Sequence, residues 1–135
     1  MQQIAEDELH RLYEFINDLN DEVDKGAVLV VEGKRDRDAL IALGYQGDAL
    51  IFNNFKGIHN LAESLESESK VILLLDMDRK GRYLTTRLTK IMNNIDLYYK
   101  RELIDITKGR IKCIEELVIY SRYINQRLYG KYIDA

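Results

Sequence analysis

The sequence contains few of the residues that mark several common classes of protein. Its 135 residues include no proline, no tryptophan, one cysteine and two histidines. The single Cys113 excludes an internal disulfide framework, so we expect a cytoplasmic protein in which Cys113 is a packed residue. The two histidines are distant from it, so zinc is not expected. No apolar run approaches the roughly 20 residues that a membrane-spanning helix needs, so we expect no membrane association.

The length and composition are those of one globular domain. Hydrophobic residues make up 46% of the chain and charged residues 32%. No repeat or low-complexity linker divides the chain. We therefore predict a single domain over residues 1–135, with a covering helix in 1–25, a core in 26–120, and a helix end and tail in 121–135.

Charge is unevenly distributed along the chain. Residues 1–78 hold 7 Lys and Arg against 17 Asp and Glu, a net charge of −10, whereas residues 79–135 hold 13 against 6, a net charge of +7. An acidic outer helix explains part of this asymmetry, but a charge difference between halves also indicates nucleic-acid contact. The basic part begins directly after a pair of aspartates, which favours the nucleic-acid interpretation.

Two apolar segments are each followed by carboxylates. The aliphatic residues 71–75 predict a strand buried on both faces, and residues 27–31 predict a second strand of the same type. Glu32 and Gly33 follow the strand 27–31. Asp76, Asp78 and Gly81 follow the strand 71–75. Because the carboxyl ends of strands in an open α/β sheet form the ligand crevice, we expect all these carboxylates at one edge.

Glu32, Asp76 and Asp78 predict a metal site made of oxygen ligands, which suits Mg²⁺ or Mn²⁺. Asp76 and Asp78 would hold one or two ions against a phosphodiester, and Glu32 would act as general acid or base or as a third ligand. Simpler interpretations exist: an aspartate after a strand is commonly a helix N-cap, and Gly33 and Gly81 are candidate turn residues.

Helical and strand patterns alternate along the chain. An apolar stripe predicts a helix from Ala5 to about Asp24, which covers the sheet or, as an alternative, forms a dimer seam. Asp36, in the helix after Glu32, could reach the carboxylates or face solvent. The other predicted helices are about 35–43, 58–66, 82–94, 102–106 and a final one from 114 to 128, and the other predicted strands are 49–52 and 97–99. This alternation predicts an α/β domain with about four mainly parallel strands flanked by helices.

Both acidic segments resemble the signatures of a known family. Residues 30–36 (Val-Val-Glu-Gly-Lys-Arg-Asp) and 74–81 (Leu-Leu-Asp-Met-Asp-Arg-Lys-Gly) are similar to the two motifs of the TOPRIM domain. That domain is shared by topoisomerases, bacterial-type primases, OLD-family nucleases, recombination-mediator proteins and the bacterial maturase of 5S ribosomal RNA. The resemblance covers about residues 25–120 and is closest to the small stand-alone members. The family often has proline where this chain has Met77, a change that leaves both aspartates in place.

The TOPRIM resemblance implies a Rossmann-like fold, here with an added N-terminal helix. It also implies the same roles for Glu32, Asp76 and Asp78 as those given above. A topoisomerase or a primase would need additional domains, so their complete activities are not expected. Most of the nine tyrosines predict packing or base stacking instead of a nucleophile.

Basic residues near the predicted edge are candidates for phosphate contacts. Arg79, Lys80 and Arg82 follow the aspartates directly, and cations at a helix N-terminus oppose the helix dipole, which favours a role in phosphate binding. The full predicted nucleic-acid-binding set is Lys34, Lys56, Arg79, Lys80, Arg82, Arg87, Lys108, Arg110 and Lys112.

Together these features predict a protein that binds RNA or DNA and cleaves phosphodiesters with Mg²⁺ or Mn²⁺. A phosphate-binding P-loop is excluded, because Val28 and Arg35 stand where that motif needs Gly and Ser or Thr. Phosphatases and receiver domains with an acidic pair carry it after the first strand, unlike this chain. The alternative function is a non-catalytic nucleic-acid-binding or assembly module that keeps the metal site. A homodimer or a protein partner is compatible with either function.

Overall fold

One parallel sheet forms the centre of the protein. The structure, a computed structural model, describes residues 5–124. Within that range the strands are β1 (Val28–Val31), β2 (Leu50–Ile51), β3 (Val71–Leu74) and β4 (Ile95–Asp96). They lie in the order β2-β1-β3-β4, and every neighbouring pair is parallel. The predicted α/β fold with a four-stranded parallel sheet is confirmed.

Within residues 5–124, six α-helices flank the sheet. They are α1 (Glu6–Asp24), α2 (Lys34–Ala42), α3 (Ile58–Ser64), α4 (Arg79–Ile91), α5 (Tyr98–Thr107) and α6 (Val118–Ile124), with short 3₁₀ helices at Phe52–Asn54 and Ile114–Leu117. The predicted N-terminal helix is confirmed, and Gly26 follows it with a φ of +113°, a backbone conformation that favours glycine. None of these helices has the length and apolarity required to cross a membrane.

Helices cover both faces of the sheet and create two hydrophobic clusters. Leu29 and Ile72 pack with α1, α2 and α5, whereas Val30 and Leu73 pack with α3 and α4. The strand residues alternate between the clusters because successive side chains point to opposite faces of a sheet. β1 and β3 are thus buried on both faces.

Helix α1 covers the sheet. Its Leu9 and Leu12 are fully buried in the cluster that also contains Leu103 of α5. Phe15 of α1 meets Tyr99 of α5 edge to face, with ring centroids 5.7 Å apart. The predicted covering role is confirmed, and the alternative of a dimer seam for this stripe is wrong, because the stripe is already buried within the chain.

The structure corrects two predictions in the second half of the chain. Residues 97–99 are not a strand: the carboxylate of Asp96 accepts a hydrogen bond from the N–H of Tyr98 (2.8 Å) and helix α5 begins there. The final predicted helix is divided into the 3₁₀ helix Ile114–Leu117 and α6. The remainder of that prediction and the predicted tail, positions 125–135, lie outside the described residues.

Helix α5 carries the chain back to the carboxyl edge of the sheet. Asp96, the last residue of β4, lies opposite Ile72 in the amino half of β3, and α5 begins two residues later. Beyond its end, the carbonyl of Lys112 accepts a hydrogen bond from the N–H of Met77, just past the carboxyl end of β3 (2.6 Å). The segment after α5 therefore lies against the edge where the two central strands end in acidic residues.

Candidate metal centre

Three carboxylates lie together at the carboxyl edge. Val31 of β1 is opposite Leu74 of β3, so the residues that follow these strands are brought side by side. Glu32 is 7% exposed, Asp76 is 8% exposed and Asp78 is half-buried. Their charges act on one another: both Glu32 and Asp78 raise the pKa of Asp76, and Asp78 raises that of Glu32.

Backbone N–H groups hold one oxygen of each aspartate. Asp76 Oδ1 accepts a hydrogen bond from the N–H of Ile114, and Asp78 Oδ1 accepts one from the N–H of Gly81, each at 2.8 Å. Asp78 thereby caps α4, which begins at Arg79 and earlier than predicted. The N-cap interpretation is correct for Asp78, but the cap uses only one of its two oxygens.

Gly81 has a different role from the predicted turn. It lies in the first turn of α4 and is buried. A Cβ atom built there would lie 1.9 Å from the backbone oxygen of Asp76. Glycine is therefore required because α4 packs directly on the backbone that carries Asp76. Gly33, by contrast, lies between β1 and α2, as expected of a turn residue.

The Glu32 carboxylate is buried with one oxygen unsatisfied. Its Oε1 has no hydrogen-bond partner, and its Oε2 lies 3.8 Å from Nζ of Lys80, an exposed side chain. Burial raises the pKa of Glu32 more than the Lys80 charge lowers it. An unpaired buried carboxylate oxygen carries a large desolvation cost, so this group is suited to a cation.

Asp76 has a strongly raised pKa. Burial is the largest cause, the charges of Asp36, Glu32 and Asp78 add to it, and the hydrogen bond from Ile114 opposes it, with a resulting pKa of about 6. The cluster therefore repels itself without a cation. Buried oxygen ligands with unbalanced negative charge fit Mg²⁺ or Mn²⁺.

Asp36 supports the site and does not face solvent. It is buried, and its two oxygens accept hydrogen bonds from the N–H groups of Gly33 (2.9 Å) and Glu115 (3.0 Å). Asp36 and Asp76 together anchor the start of the 3₁₀ helix Ile114–Leu117 on the carboxyl edge. Its charge raises the pKa of Asp76, so it acts on the site through electrostatics.

Cys113 lies beside the two aspartates, a position that the sequence prediction missed. Its Sγ lies 3.8 Å from Oδ2 of Asp78, and ligand atoms of Asp76, Asp78 and Cys113 lie within 4.8 Å of one another. Burial and then the two aspartates raise the pKa of the Cys113 thiol to about 11. Cys113 is 35 residues away from Asp78 in the chain, so no motif spacing links them.

Several predicted nucleic-acid-binding residues surround this edge. Arg79, Lys80 and Arg82 are exposed on the first turn of α4. Exposed cations also occur on the neighbouring segments: Lys34 at the start of α2, Lys56 in the loop after β2, and Lys112 in the segment after α5. Lys100 is not in the predicted nucleic-acid-binding set, but it lies near Arg82. Burial and then the charge of Arg82 lower the pKa of Lys100.

The other predicted cations have different surroundings. Arg87 donates a hydrogen bond to the hydroxyl of Tyr83 (2.9 Å) and lies over its ring. Lys108 is the left-handed residue that ends α5. Arg110 forms an ion pair with the buried Glu8 of α1, a structural contact that the sequence prediction did not include.

Comparisons with known proteins give relatives across most of the chain. No family model matches it. A UPF0292 protein from Methanosarcina acetivorans is 33% identical over 117 residues, 83% of this chain and 81% of that protein. Another from Archaeoglobus fulgidus is 30% identical over 117 residues, 84% of this chain and 91% of that protein. A solved structure of a protein from Aquifex aeolicus has the same fold, with a TM-score of 0.61 and 27% identity over 76% of this chain and 94% of that one. The chain belongs to the UPF0292 family.

Proposed function

We propose that this protein is a TOPRIM-type nucleic-acid-binding enzyme that cleaves phosphodiester bonds with Mg²⁺ or Mn²⁺ in the cytoplasm. The observation that carries the proposal is the buried Glu32 oxygen without a hydrogen-bond partner, beside an Asp76 whose pKa is raised to about 6. Groups with perturbed pKa values that cluster at the end of strands are typical of functional sites. The resemblance of residues 30–36 and 74–81 to the TOPRIM motifs supports the same reaction class.

Asp76 and Asp78 are the proposed ligands, with Glu32 as a third ligand or as the proton-transfer group. When bound, a divalent ion supplies positive charge that stabilises the attacking and leaving oxygens of a phosphodiester. Backbone hydrogen bonds to Oδ1 of each aspartate keep both carboxylates oriented. The raised pKa of Glu32 brings it closer to the range in which a carboxyl group transfers protons efficiently near neutral pH.

The exposed cations at this edge are the proposed phosphate contacts. Arg79 and Arg82 lie on the helical turn that Asp78 caps, and Lys34 lies on the turn after Glu32. These positions allow phosphates of a strand to contact the protein on both sides of the carboxylates. Such contacts are sequence-independent, so we expect binding of RNA or DNA without strong base preference.

A second candidate function is a non-catalytic nucleic-acid-binding or assembly module. It is favoured by hydrogen bonds that give the acidic residues a structural role. Asp76 accepts one from the N–H of Ile114, and Asp36 accepts one from the N–H of Glu115. Carboxylates can be required for such anchoring without any reaction. Catalysis therefore has to be measured separately from binding.

The test is incubation of the pure protein with labelled RNA and DNA, single- and double-stranded, in Mg²⁺, Mn²⁺ or EDTA. We expect cleavage with metal, none in EDTA, and none with the Asp76→Asn, Asp78→Asn double variant. The matched control is Asp96→Asn, which removes a carboxylate from the opposite edge of the sheet and should cleave normally. Binding without cleavage by the wild type would favour the module, and the absence of both binding and cleavage would contradict both functions.

A further inference from the structure

Helix α4 extends from the carboxylates as a basic surface. Asp78 caps its first turn, and Nζ of Lys80 in that turn lies 3.8 Å from Oε2 of Glu32. The helix contains several Lys and Arg residues but no Asp or Glu. A helix with cations and no acidic residue attracts the phosphates of a nucleic acid along its length.

Tyr83 is an aromatic residue exposed on this helix. It is 55% exposed and belongs to neither hydrophobic cluster of the described residues. Arg79 and Arg87 lie four residues before and after it, so the three side chains share one face of α4. Tyr83 lies about 7.5 Å further along the helix axis than Asp78. The nucleotides that flank a phosphate held at the carboxylates are therefore within reach of its ring.

Arg87 holds the Tyr83 side chain in place. Its Nη1 donates a hydrogen bond to the Tyr83 hydroxyl (2.9 Å), and its Cζ lies 5.8 Å from the centre of the ring. That distance is within the range of a cation–π contact. A ring that is oriented before a ligand arrives loses less conformational freedom on binding, so the contact prepares Tyr83 for stacking.

The charges around Tyr83 distinguish it from Tyr98, the other tyrosine that is more than half exposed within residues 5–124. Tyr98 is 52% exposed and lines a cavity between α1 and α5. The charged residues that line this cavity with it are Arg11, Glu14, Asp18 and Glu102. Arg11 is paired with Glu102, so the surroundings of Tyr98 are acidic and repel phosphates. Exposure is thus common to the two tyrosines, and a basic surrounding is specific to Tyr83.

We propose that Tyr83 stacks on an unpaired base, and that the substrate class of the proposed enzyme is therefore single-stranded RNA or DNA. Stacking on an aromatic side chain requires a base that is not already stacked within a duplex, whereas phosphates are accessible in both forms. Every base has a π face, so this recognition tolerates any sequence. The inference rests on the nucleic-acid binding of the proposed function and specifies the form of the strand.

The test is the affinity of the full-length protein, in EDTA to prevent cleavage, for three labelled ligands. They are a single strand of mixed sequence, a strand of the same length whose nucleotides all lack bases, and a duplex. Wild type should prefer the intact single strand to the base-free strand. Tyr83→Ala should lower affinity for the intact single strand about 5- to 100-fold and leave the other two affinities unchanged.

Two further variants separate stacking from a structural role. Tyr83→Phe keeps the ring and should bind the intact single strand like wild type. Tyr98→Ala removes the equally exposed tyrosine in acidic surroundings and should also bind like wild type. No phosphate contact is removed in any of these variants, so the salt dependence of binding should stay the same. Thermal unfolding of each variant, compared with wild type, verifies that it is folded.

The outcomes separate this inference from the proposed function. Equal affinity of wild type for the intact and base-free strands, or equal losses in Tyr83→Ala and Tyr98→Ala, overturns the stacking role and leaves nucleic-acid binding intact. Self-association of wild type that Tyr83→Ala abolishes, measured by sedimentation, would make Tyr83 a contact between copies and would also overturn it. A wild type that binds none of the three ligands overturns both the inference and the proposed function.

Discussion

The two edges of the sheet differ in how their charged side chains are paired. At the amino edge, Nζ of Lys70 lies 3.1 Å from Oε2 of Glu22 and 3.7 Å from Oδ2 of Asp96, and the contact with Glu22 raises the pKa of Lys70. At the carboxyl edge, Glu32 is buried and, within residues 5–124, its ion-pair partner is the exposed Lys80, at 3.8 Å.

The difference lies in which protonation state each edge favours. The amino edge stabilises the charged form of Lys70, as expected of an ion pair that contributes to the fold. The carboxyl edge disfavours its own ionised carboxylates and raises the pKa of both Glu32 and Asp76. Unbalanced buried charge destabilises the metal-free protein, and the proposed metal site rests on this imbalance.

Of the substitutions considered, Glu32→Gln should have the largest effect, a loss of cleavage rate. If Glu32 transfers a proton, removing its titration should lower the cleavage rate by about 10²- to 10⁴-fold while nucleic-acid binding is largely retained. Cleavage rates and binding affinities are measured side by side on the same labelled strand. Glu22→Gln, at the amino edge, is the control and should cleave normally. Turnover by Glu32→Gln at the wild-type rate would remove Glu32 from the reaction.

Asp76→Asn should stabilise the metal-free protein. The folded pKa of Asp76, about 6, lies above its ordinary value of 3.8, so ionisation costs folding free energy as pH rises from about 4 to about 6. At neutral pH the penalty should be about 2–3 kcal/mol, and asparagine can still accept the hydrogen bond from Ile114. Unfolding in denaturant with EDTA, at several pH values, measures the gain and the weaker pH dependence.

The control for that change is Asp96→Asn at the amino edge. It removes a partner of Lys70, so it should leave the free energy of unfolding unchanged or lower. Equal stabilisation by the two substitutions would show that the edges do not differ electrostatically.

Arg110→Ala should lower stability more than nucleic-acid affinity. Arg110 pairs with the buried Glu8, and because Arg110 is 35% exposed we expect a loss of about 1–3 kcal/mol, less than for a fully buried pair. Arg101→Ala, an exposed arginine of α5, is the matched control. If Arg110→Ala instead unfolds like wild type and binds nucleic acid weakly, the phosphate role predicted from the sequence is correct.

Substitution of the exposed cations should have the smallest effect per residue, measured on nucleic-acid binding. Replacing Lys34, Arg79 and Arg82 by alanine should reduce the salt dependence of binding by about one unit for each phosphate interaction that is removed, without changing sequence preference. Lys80 is left unchanged because it contacts Glu32. A charge-matched control replaces Lys25, Lys90 and Arg101, which are exposed on other parts of the surface. Equal reductions in the two triple variants would argue against a binding surface at the carboxyl edge.

The parts of the site that follow strands could be predicted from sequence. Buried aliphatic runs specify β1 and β3, and the carboxyl ends of parallel strands meet at one edge, so Glu32 and Asp76 could be brought together without a structure. Their burial and the charge imbalance depend on helices that pack over the sheet, which periodicity alone does not describe.

The contacts made by the segment after α5 could not be predicted. Leu97, Tyr98 and Tyr99 have the composition of a strand, but Tyr99 packs against Phe15 of α1 and the segment is helical. That helix brings Cys113 beside Asp78, and it directs Arg110 to Glu8 instead of a phosphate. These are tertiary contacts between distant positions, and no local spacing encodes them.

The most direct measurement is Mn²⁺ binding, by titration calorimetry and by the electron paramagnetic resonance of free Mn²⁺, to three forms of the pure protein. Wild type and Asp96→Asn should bind Mn²⁺ equally and should unfold at a higher temperature when it is present. The Asp76→Asn, Asp78→Asn double variant should lose both the Mn²⁺ binding and the stabilisation by Mn²⁺. Mn²⁺ titration of the double variant that is indistinguishable from that of wild type would contradict a metal centre at the carboxyl edge.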